Sequence, residues 1–392
     1  MCPHHVPDAS TGTPSKLGLA LLPETTVTRT SPRRDVAALG FDDAARLTFG
    51  EIRLLPEQQR CLRRLNQRIP ALCNRMPSSV QTRTALWMQR RLAKSRLGVL
   101  ANFYDLYYPP AWTVIYWLTP PPRELAPPLT TALDVQAAAM LLHLLDDHLV
   151  DGEFPLNNLA LHLRTQAWMS FHEAASQLAA SVDGGAAVAV EFLDAYFATI
   201  DEPPDSPNLA EYERLFRGQM ATWLVAPLLT ARLVGHDEHQ VRGMFESFGL
   251  AWRLFDDLRD CAADARAGTR SGLYHLLLPE GQTAWRDCRD LGTPPWGAML
   301  AELRRNGFRA ALHAITDHLG QASKIARALC LPRLAEEYQA SCFTTRKDHS
   351  LMCPLRPKPE SPPPHLAARS SCFTAHRGHH GGCRVLRQLH RS

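Results

Sequence analysis

Six aspartates, arranged in two groups near the ends of apolar segments, are the residues of this chain whose type and spacing indicate chemistry. They are Asp146, Asp147, Asp151, Asp256, Asp257 and Asp260. Within each group an i,i+4 spacing places carboxylates on one helix face, where like charges and the helix dipole destabilise the helix by roughly 0.3–1 kcal/mol each. Hard divalent cations relieve such repulsion, and Mg²⁺ usually shares its carboxylates with substrate phosphates. The sequence therefore predicts a metal-dependent phosphate site.

Composition and charge bound the class of protein. The chain has 392 residues, of which 45% are hydrophobic, and that is enough for one large core. Residues 346–392 carry nine Lys/Arg and two Asp/Glu, a surplus of +7 within an overall charge of +4, so the rest of the chain carries −3. A mildly acidic body argues against binding to nucleic acid.

Targeting signals are not evident in the sequence. No apolar run reaches the roughly 18–20 residues of a membrane span, so the sequence predicts no stable membrane insertion. Residues 1–5 (MCPHH) lack a basic stretch followed by an apolar one, so they do not begin a secretory signal. The cysteines in the body of the chain show no paired spacing, which is typical of reduced thiols. We therefore expect a cytoplasmic protein.

The chain divides into three parts by composition. Residues 1–45 are rich in Pro, Thr and Ser, and residues 341–392 mix Pro, Arg, His and Cys, so both are predicted to be disordered tails. Residues 46–340 predict an all-α fold, a single large helical bundle with a central apolar cavity. The predicted helices span residues 55–68, 78–102, 131–151, 157–181, 186–200, 208–234, 237–264, 295–319 and 321–340.

Helix direction places the two aspartate groups together. Short connections favour helices that alternate in direction, so helix 131–151 and helix 237–264, four connections apart, run parallel. Their carboxyl ends then lie at one end of the bundle, above a shaft lined by the apolar residues that precede the aspartates. The side chains predicted to line this shaft are Leu141, Leu142, His143, Phe216, Trp223 and Trp252. No residue is predicted to act as a nucleophile.

The sequences around the aspartates resemble the class I isoprenoid synthases, in particular the polyprenyl (trans-prenyl diphosphate) synthases. The first motif of that family ends a helix much as residues 141–151 (LLHLLDDHLVD) do here. Its second motif commonly contains a Gly, then Phe-Gln, then Asp-Asp-x-x-Asp, and residues 249–260 (GLAWRLFDDLRD) follow that order with Trp-Arg in the Phe-Gln places. Residues 267–274 resemble the Gly- and Lys-rich segment that follows. The resemblance covers roughly residues 95–340.

This resemblance implies an isoprenoid-synthase-like fold and a Mg²⁺-dependent prenyltransferase, with several ions per site. The six aspartates would hold metal ions that clamp the diphosphate of an allylic prenyl substrate, so that its C–O bond ionises to a carbocation. The residues expected to contact the diphosphate are Arg253, Gln219, Arg266 and Arg270. The implied partner is a prenyl diphosphate, and homodimerisation stays open.

Departures from the family pattern leave alternatives open. Three residues separate the first Asp pair from Asp151, and a Gly-Gly-Lys-Arg stretch for isopentenyl diphosphate is missing upstream. Ionisation is therefore better supported than chain elongation, and a terpene-cyclase-like or head-to-head condensing enzyme is an alternative. A catalytically degenerate helical scaffold is a second alternative. A helical metal phosphohydrolase is a third, suggested by His143, His148, His172 and His236.

Overall fold

A computed structural model describes residues 47–49, 52–91, 109–119, 127–150, 154–200, 206–288, 294–341 and 344–345. These residues form fourteen α-helices and one two-stranded antiparallel pair, and all fall within one compact unit of the chain. The first seven helices are α1 (Pro56–Asn74), α2 (Ser78–Arg91), α3 (Pro110–Leu118), α4 (Pro127–Val150), α5 (Asn158–Ala180), α6 (Gly185–Ile200) and α7 (Leu209–Gln219). The others are α8 (Ala221–Val234), α9 (Glu238–Ala267), α10 (Gly272–His275), α11 (Pro279–Asp287), α12 (Pro294–Glu302), α13 (Phe308–Ala328) and α14 (Pro332–Ala340). Strand β1 (Leu47–Thr48) pairs with β2 (Thr344–Thr345).

Local sequence signals set several helix ends. The side chains of Asn157, Asn208 and Asp237 accept hydrogen bonds from backbone N–H groups in the first turns of α5, α7 and α9. Gly235 and Gly268 close α8 and α9 in the left-handed conformation, at φ of 78° and 77°. The long helix α9, which carries the second aspartate group, is therefore bounded by an N-terminal cap and a glycine stop that the sequence itself supplies.

Helix α4 is the central helix of the bundle. It packs against α1, α5 and α8, while α9 packs along α13. By length and composition alone, Pro128–Leu149 is apolar enough to cross a membrane, but 67% of its most apolar window is buried inside the bundle. A helix that is hydrophobic on all sides in this way is a core helix. Both aspartate groups are thus carried on helices fixed by extensive packing.

The helices differ from the sequence expectation in three places. Residues 208–234 form two helices, not one, because the helical conformation is interrupted at Met220. The predicted break at Gly320 is wrong, since α13 runs through it and the turn comes at Cys330, which adopts a positive φ of 60°. The sequence also missed α3, α10 and α11, which are nine residues or shorter. Short helices contain too few turns for a clear apolar period.

Several expectations fall outside the described residues. Almost all of both predicted tails lies there, and so does Asp151, the last carboxylate of the first group. The predicted extension of the second helix beyond Arg91 lies there too. These remain predictions from the sequence.

Candidate functional site

One carboxylate of the first group, Asp147, lies near enough to the second group to interact electrostatically with it. Asp147, three residues before the end of α4, interacts electrostatically with Arg253 and Asp256 of α9. His143 lies one turn earlier on α4. Its pKa is lowered mainly by burial and also by the charge of Arg253. Carboxylates separated by more than a hundred residues in sequence therefore belong to one electrostatic cluster, which we call the acidic site: Asp147, Arg253, Asp256, Asp257, Asp260 and Asp264.

Arg253 lies at the centre of the acidic site. Its Nε donates a hydrogen bond of 2.7 Å to the hydroxyl oxygen of Tyr212 and lies 3.2 Å from Oδ1 of Asp257. The guanidinium carbon lies 5.9 Å from the ring centre of Tyr212 and 5.8 Å from that of Phe216. Tyr212, followed by the carboxylates of Asp257, Asp147 and Asp256, raises the pKa of Arg253 well above its ordinary value, while burial lowers it. Arg253 is therefore the fixed positive charge of this cluster.

Asp257 is held rigidly by neighbours from two other helices. Its Oδ2 accepts hydrogen bonds from the Tyr212 hydroxyl at 2.6 Å and from the backbone N–H of Gly272 at 2.8 Å. Its side chain is only 3% exposed. A Cβ at Gly272 would lie 2.6 Å from Leu254 and 2.8 Å from Asp257 itself, so only glycine allows α10 to approach this carboxylate. Asp257 therefore organises the site more than it faces a ligand.

Charge is crowded along the acidic face of α9. Burial raises the pKa of Asp256, with Arg253 lowering it and the carboxylates of Asp257 and Asp147 raising it further. Burial, followed by the charge of Asp257, raises the pKa of Asp264 to about 7. Asp260 lies between them and adds to the repulsion at Asp257 and at Asp264. Such crowding of like charge in a partly buried place is a common mark of a functional site.

Asp146 is directed away from the acidic site. It forms a bidentate ion pair with Arg164 of α5, at 2.8 Å to Nε and 3.2 Å to Nη2, and it also accepts a hydrogen bond from the hydroxyl of Tyr196 on α6. Both of its oxygens are therefore used within the protein. Among the described residues of the first group, Asp147 is the carboxylate that faces α9.

The four residues predicted to contact diphosphate do not lie together, and their neighbours differ. Gln219 is the half-buried last residue of α7, and its backbone forms a hydrogen bond with His143. Arg266 is exposed and donates to the carbonyl of Ala262 in its own helix at 3.0 Å. Arg270 lies 5.9 Å from the ring centre of Tyr274. Of the four predicted contacts, Arg253 is thus the one that the structure places among the carboxylates.

The residues predicted to line the shaft are closely packed. Leu142, Phe216 and Trp223 are between 0% and 4% exposed, and His143 packs edge-on against Trp223 with ring centres 4.9 Å apart. Trp252 packs elsewhere, against Phe49 and Phe255 at ring-centre distances of 5.5 and 6.4 Å. Leu141 borders a cavity of about 90 Å³ between α1, α4 and α5. The apolar side chains below the acidic site thus form a closed core.

The donor atoms at the acidic site fit Mg²⁺ that enters together with a phosphate. Among the described residues, no group of three or more His, Cys, Asp or Glu side chains is close enough to hold a metal ion. Mg²⁺ does not need such a cage, because it usually takes one or two carboxylates and completes its shell with water and substrate phosphate oxygens. Asp147 and Asp256 are carboxylates on two helices, and the charge of Asp147 raises the pKa of Asp256.

Four residues of the site were not predicted from the sequence as site residues: Arg164, Tyr196, Tyr212 and Gly272. Each acts through a partner 15 to 50 positions away in the chain, so no local spacing marks it. A sequence signal exists for Gly272, which lies in the Gly-containing segment 267–274 that resembles the family.

Comparison with solved structures relates the whole bundle to known enzymes. No protein-family model matches the chain, and no curated protein matches it either. An octaprenyl pyrophosphate synthase from Helicobacter pylori superposes with a TM-score of 0.53 at 12% identity, over 73% of this chain and 100% of that one. The chain has the fold of the polyprenyl-synthase-like class I isoprenoid synthases.

Two further structures agree with this fold. A geranylgeranyl pyrophosphate synthase from Lactobacillus brevis gives a TM-score of 0.52 at 13% identity, over 73% of this chain and 96% of that one. A polyprenyl synthetase from Streptomyces coelicolor gives 0.51 at 15% identity, over 73% of this chain and 97% of that one. The predicted all-α isoprenoid-synthase-like fold is confirmed.

Proposed function

We propose that this protein is a Mg²⁺-dependent class I isoprenoid synthase, which binds an allylic prenyl diphosphate at the acidic site and ionises it. The observation that supports this proposal most is the electrostatic interaction of Asp147 on α4 with Asp256 on α9, both of which also interact with the half-buried cation Arg253. The fold, shared with solved prenyl pyrophosphate synthases, supports it independently. A polyprenyl-synthase-like prenyltransferase is the version of this activity that we favour.

The residues divide the work of such a reaction by position. Asp147, Asp256 and Asp260 would hold Mg²⁺, and Asp151, which lies outside the described residues, is added to them by the sequence spacing alone. Bound Mg²⁺ supplies Lewis-acid stabilisation of the negative charge that develops on the leaving diphosphate. Arg253, whose side chain is 30% exposed, has access to the site's opening and would pair with a diphosphate oxygen. The carboxylates act as ligands and not as nucleophiles.

The apolar core below the acidic site would receive the hydrocarbon chain. Burial of an allylic cation among Leu142, Phe216 and Trp223 would keep water away from it and leave aromatic faces near its charge. Because these side chains are closely packed, entry of a prenyl chain requires them to move apart. The side chains of this core would determine how the carbocation reacts, and therefore whether elongation, cyclisation or head-to-head condensation follows.

A non-catalytic helical scaffold is a second candidate that specific observations favour. Asp146 and Asp257 have their oxygens satisfied by protein donors, and the core beneath the site is closed. A protein that kept this fold for interaction alone would need no open pocket. This candidate predicts the same stability as the first but no turnover.

A substrate screen separates these functions. The protein is incubated with Mg²⁺ and geranyl, farnesyl or geranylgeranyl diphosphate, with and without isopentenyl diphosphate, while pyrophosphate release and hydrocarbon products are measured. Product that requires isopentenyl diphosphate indicates elongation, and product from one allylic substrate alone indicates cyclisation or condensation. Absence of pyrophosphate from every folded, Mg²⁺-supplied reaction would reject the enzymatic proposal in favour of the scaffold. Release of inorganic phosphate alone would favour the phosphohydrolase.

A further inference from the structure

A groove that is separate from the acidic site lies between α1, α4 and α5. It consists of two adjoining cavities, of about 90 and 130 Å³, which share the lining residues Arg68, Arg75, Asp134 and Ser170. Asp134 precedes Asp146 on α4 by about three turns, or roughly 18 Å along the helix. We call these two cavities the side groove. It is a second place where a small molecule could bind.

The two cavities of the side groove differ in their lining. Besides the shared residues, apolar side chains of α1 and α4 bound the smaller cavity: Ala71, Leu72, Ala137, Ala138 and Leu141. The larger cavity is bounded on α5 by the polar residues Glu173 and Gln177. If a water-sized group takes roughly 30 Å³, the apolar cavity holds about three carbon atoms and the polar one holds a head group of about four heavy atoms. The side groove therefore fits a short molecule with one polar and one apolar end.

Arginines outnumber carboxylates around the side groove. Asp134 pairs with two of them, at 3.2 Å from Nη2 of Arg64 and 3.1 Å from Nε of Arg68. Arg75 pairs with Glu173 of α5. Three guanidinium groups thus share two carboxylates, and one positive charge is left over. A ligand with a single negative charge would balance it.

The polar atoms near the shared lining are mainly hydrogen-bond donors. The Nη groups of Arg68 donate no hydrogen bond to any residue that the structure describes, and this side chain is 41% exposed. The Ser170 hydroxyl accepts a hydrogen bond from Arg75 at 3.2 Å, so its own O–H can still donate. Within the described ranges, the buried Nε of Arg64 also has no hydrogen-bond partner. Buried polar groups usually have partners, and a bound ligand is one explanation of an exception.

We propose that the side groove binds a small monocarboxylate with an apolar chain of about three carbons, such as butyrate. Its carboxylate pairs with the Nη groups of Arg68, because a guanidinium presents parallel N–H groups that match the two carboxylate oxygens. The Ser170 hydroxyl donates to the same head group, and the chain lies against Ala71 and Ala138. The inference does not rest on the proposed function, because the acidic site lies about three helical turns away.

Saturation-transfer NMR of the full-length protein with butyrate tests this proposal. We expect saturable binding with a dissociation constant on the order of 1 mM. Acetate, 1-butanol and butylamine should each bind at least about tenfold more weakly. Acetate lacks the apolar chain, 1-butanol lacks the charge and butylamine carries the opposite charge.

Three variants test the two ends of the ligand separately. Arg68→Gln should weaken butyrate binding by about tenfold or more, because the charged donor is lost. Ala71→Leu extends an exposed side chain into the apolar cavity, so it should weaken butyrate by about tenfold and leave acetate within about twofold. Arg63→Gln is the control, since Arg63 is exposed on α1 and lines neither cavity, and its effect should stay within about twofold. Circular dichroism checks that each variant is folded.

Several outcomes would overturn the proposal. Absence of saturable butyrate binding by the wild type would do so whether or not the variants fold. Unchanged butyrate affinity in folded Arg68→Gln or Ala71→Leu would also do so, as would inorganic phosphate that binds more tightly than butyrate. Displacement of butyrate by Mg²⁺ with pyrophosphate would place the ligand at the acidic site instead. Since none of these measurements involves a prenyl diphosphate, the enzymatic proposal can fail or succeed independently.

Discussion

Two of the regions in which the structure describes buried carboxylates differ in their surroundings. Glu337 of α14 is 7% exposed. One of its oxygens accepts hydrogen bonds of 2.7 Å from Gln58 of α1 and from Trp117 of α3, and the other accepts from the Thr113 hydroxyl. At the acidic site, by contrast, the carboxylates lie close to one another, and Arg253 interacts electrostatically with three of them.

This difference separates a region where hydrogen bonds join three helices from one where carboxylates repel one another. Donors on two other helices form hydrogen bonds with both oxygens of Glu337. These hydrogen bonds join α14 to α1 and α3. The neighbours of Asp256 include two further carboxylates that repel it. Carboxylates that repel one another destabilise the folded chain. They are expected where a bound ligand supplies positive charge.

The largest expected effect is on turnover, and it comes from a substitution at the acidic site. Asp256→Asn should lower kcat for an allylic prenyl diphosphate by roughly 10²–10³-fold, because one metal-binding carboxylate is lost. Its thermal midpoint should stay the same or rise, since the substitution removes a repelled charge. Asp194→Asn, an exposed aspartate on α6, serves as the control. Turnover within twofold of the wild type would remove Asp256 from the site.

The next largest expected effect is on stability, and it comes from a substitution at Glu337. Glu337→Ala should lower the free energy of unfolding by about 3 kcal/mol, because Gln58, Thr113 and Trp117 are left as buried donors without this acceptor. Urea unfolding followed by circular dichroism measures the change. Glu336→Ala removes only an exposed ion pair with Arg333 and should cost less than about 0.5 kcal/mol. Equal losses in the two variants would show that burial of Glu337 carries no special cost.

A smaller effect is expected in the pH dependence of stability. The folded pKa of Asp264 is raised from 3.8 to about 7, so the folded state binds the proton more tightly than the unfolded state. This contribution to stability is complete below the unfolded pKa and is lost as pH rises through the folded pKa. Relative to Asp264→Asn, the wild type should therefore lose about 1–2 kcal/mol between pH 4 and pH 8, after allowance for solvent screening.

The measurement is the difference in unfolding free energy between wild type and Asp264→Asn across that pH range. Taking the difference cancels the titration of all other carboxylates. Asp183→Asn, at an exposed position after α5, should track the wild type at every pH. A difference between wild type and Asp264→Asn that does not change with pH would show that Asp264 titrates normally and lies outside the crowded cluster.

Much of the fold was predictable because long amphipathic or apolar helices leave a clear period in the sequence. Helices α4, α5, α6 and α9 agree with their predicted spans to within about four residues. The interruption at Met220 was not predictable, because residues 208–234 keep a helical pattern on both sides of it. Gly320 misled the prediction, since glycine in a well-packed helix is tolerated at a cost of about 1 kcal/mol.

The site was predictable in its composition and less so in its contacts. The aspartates are recognisable from their spacing. The parallel direction of helices 131–151 and 237–264 was predicted from four connections, and the division of residues 208–234 into α7 and α8 makes five. Whether these carboxylates hold Mg²⁺ stays a prediction. The ion pair between Asp146 and Arg164, and the anchoring of Arg253 by Tyr212, depend on side-chain directions across three helices.

By itself, then, the sequence determined that this protein is a helical bundle with two groups of closely spaced aspartates, because periodicity and spacing are local properties of a helix. Only the tertiary structure decided which carboxylates remain available. Asp146 and Asp257 accept hydrogen bonds from donors on other helices, whereas Asp147 and Asp256 interact electrostatically with each other and with Arg253. Those choices depend on which side chains approach within hydrogen-bonding distance after the helices have packed, and no spacing along the chain encodes that distance.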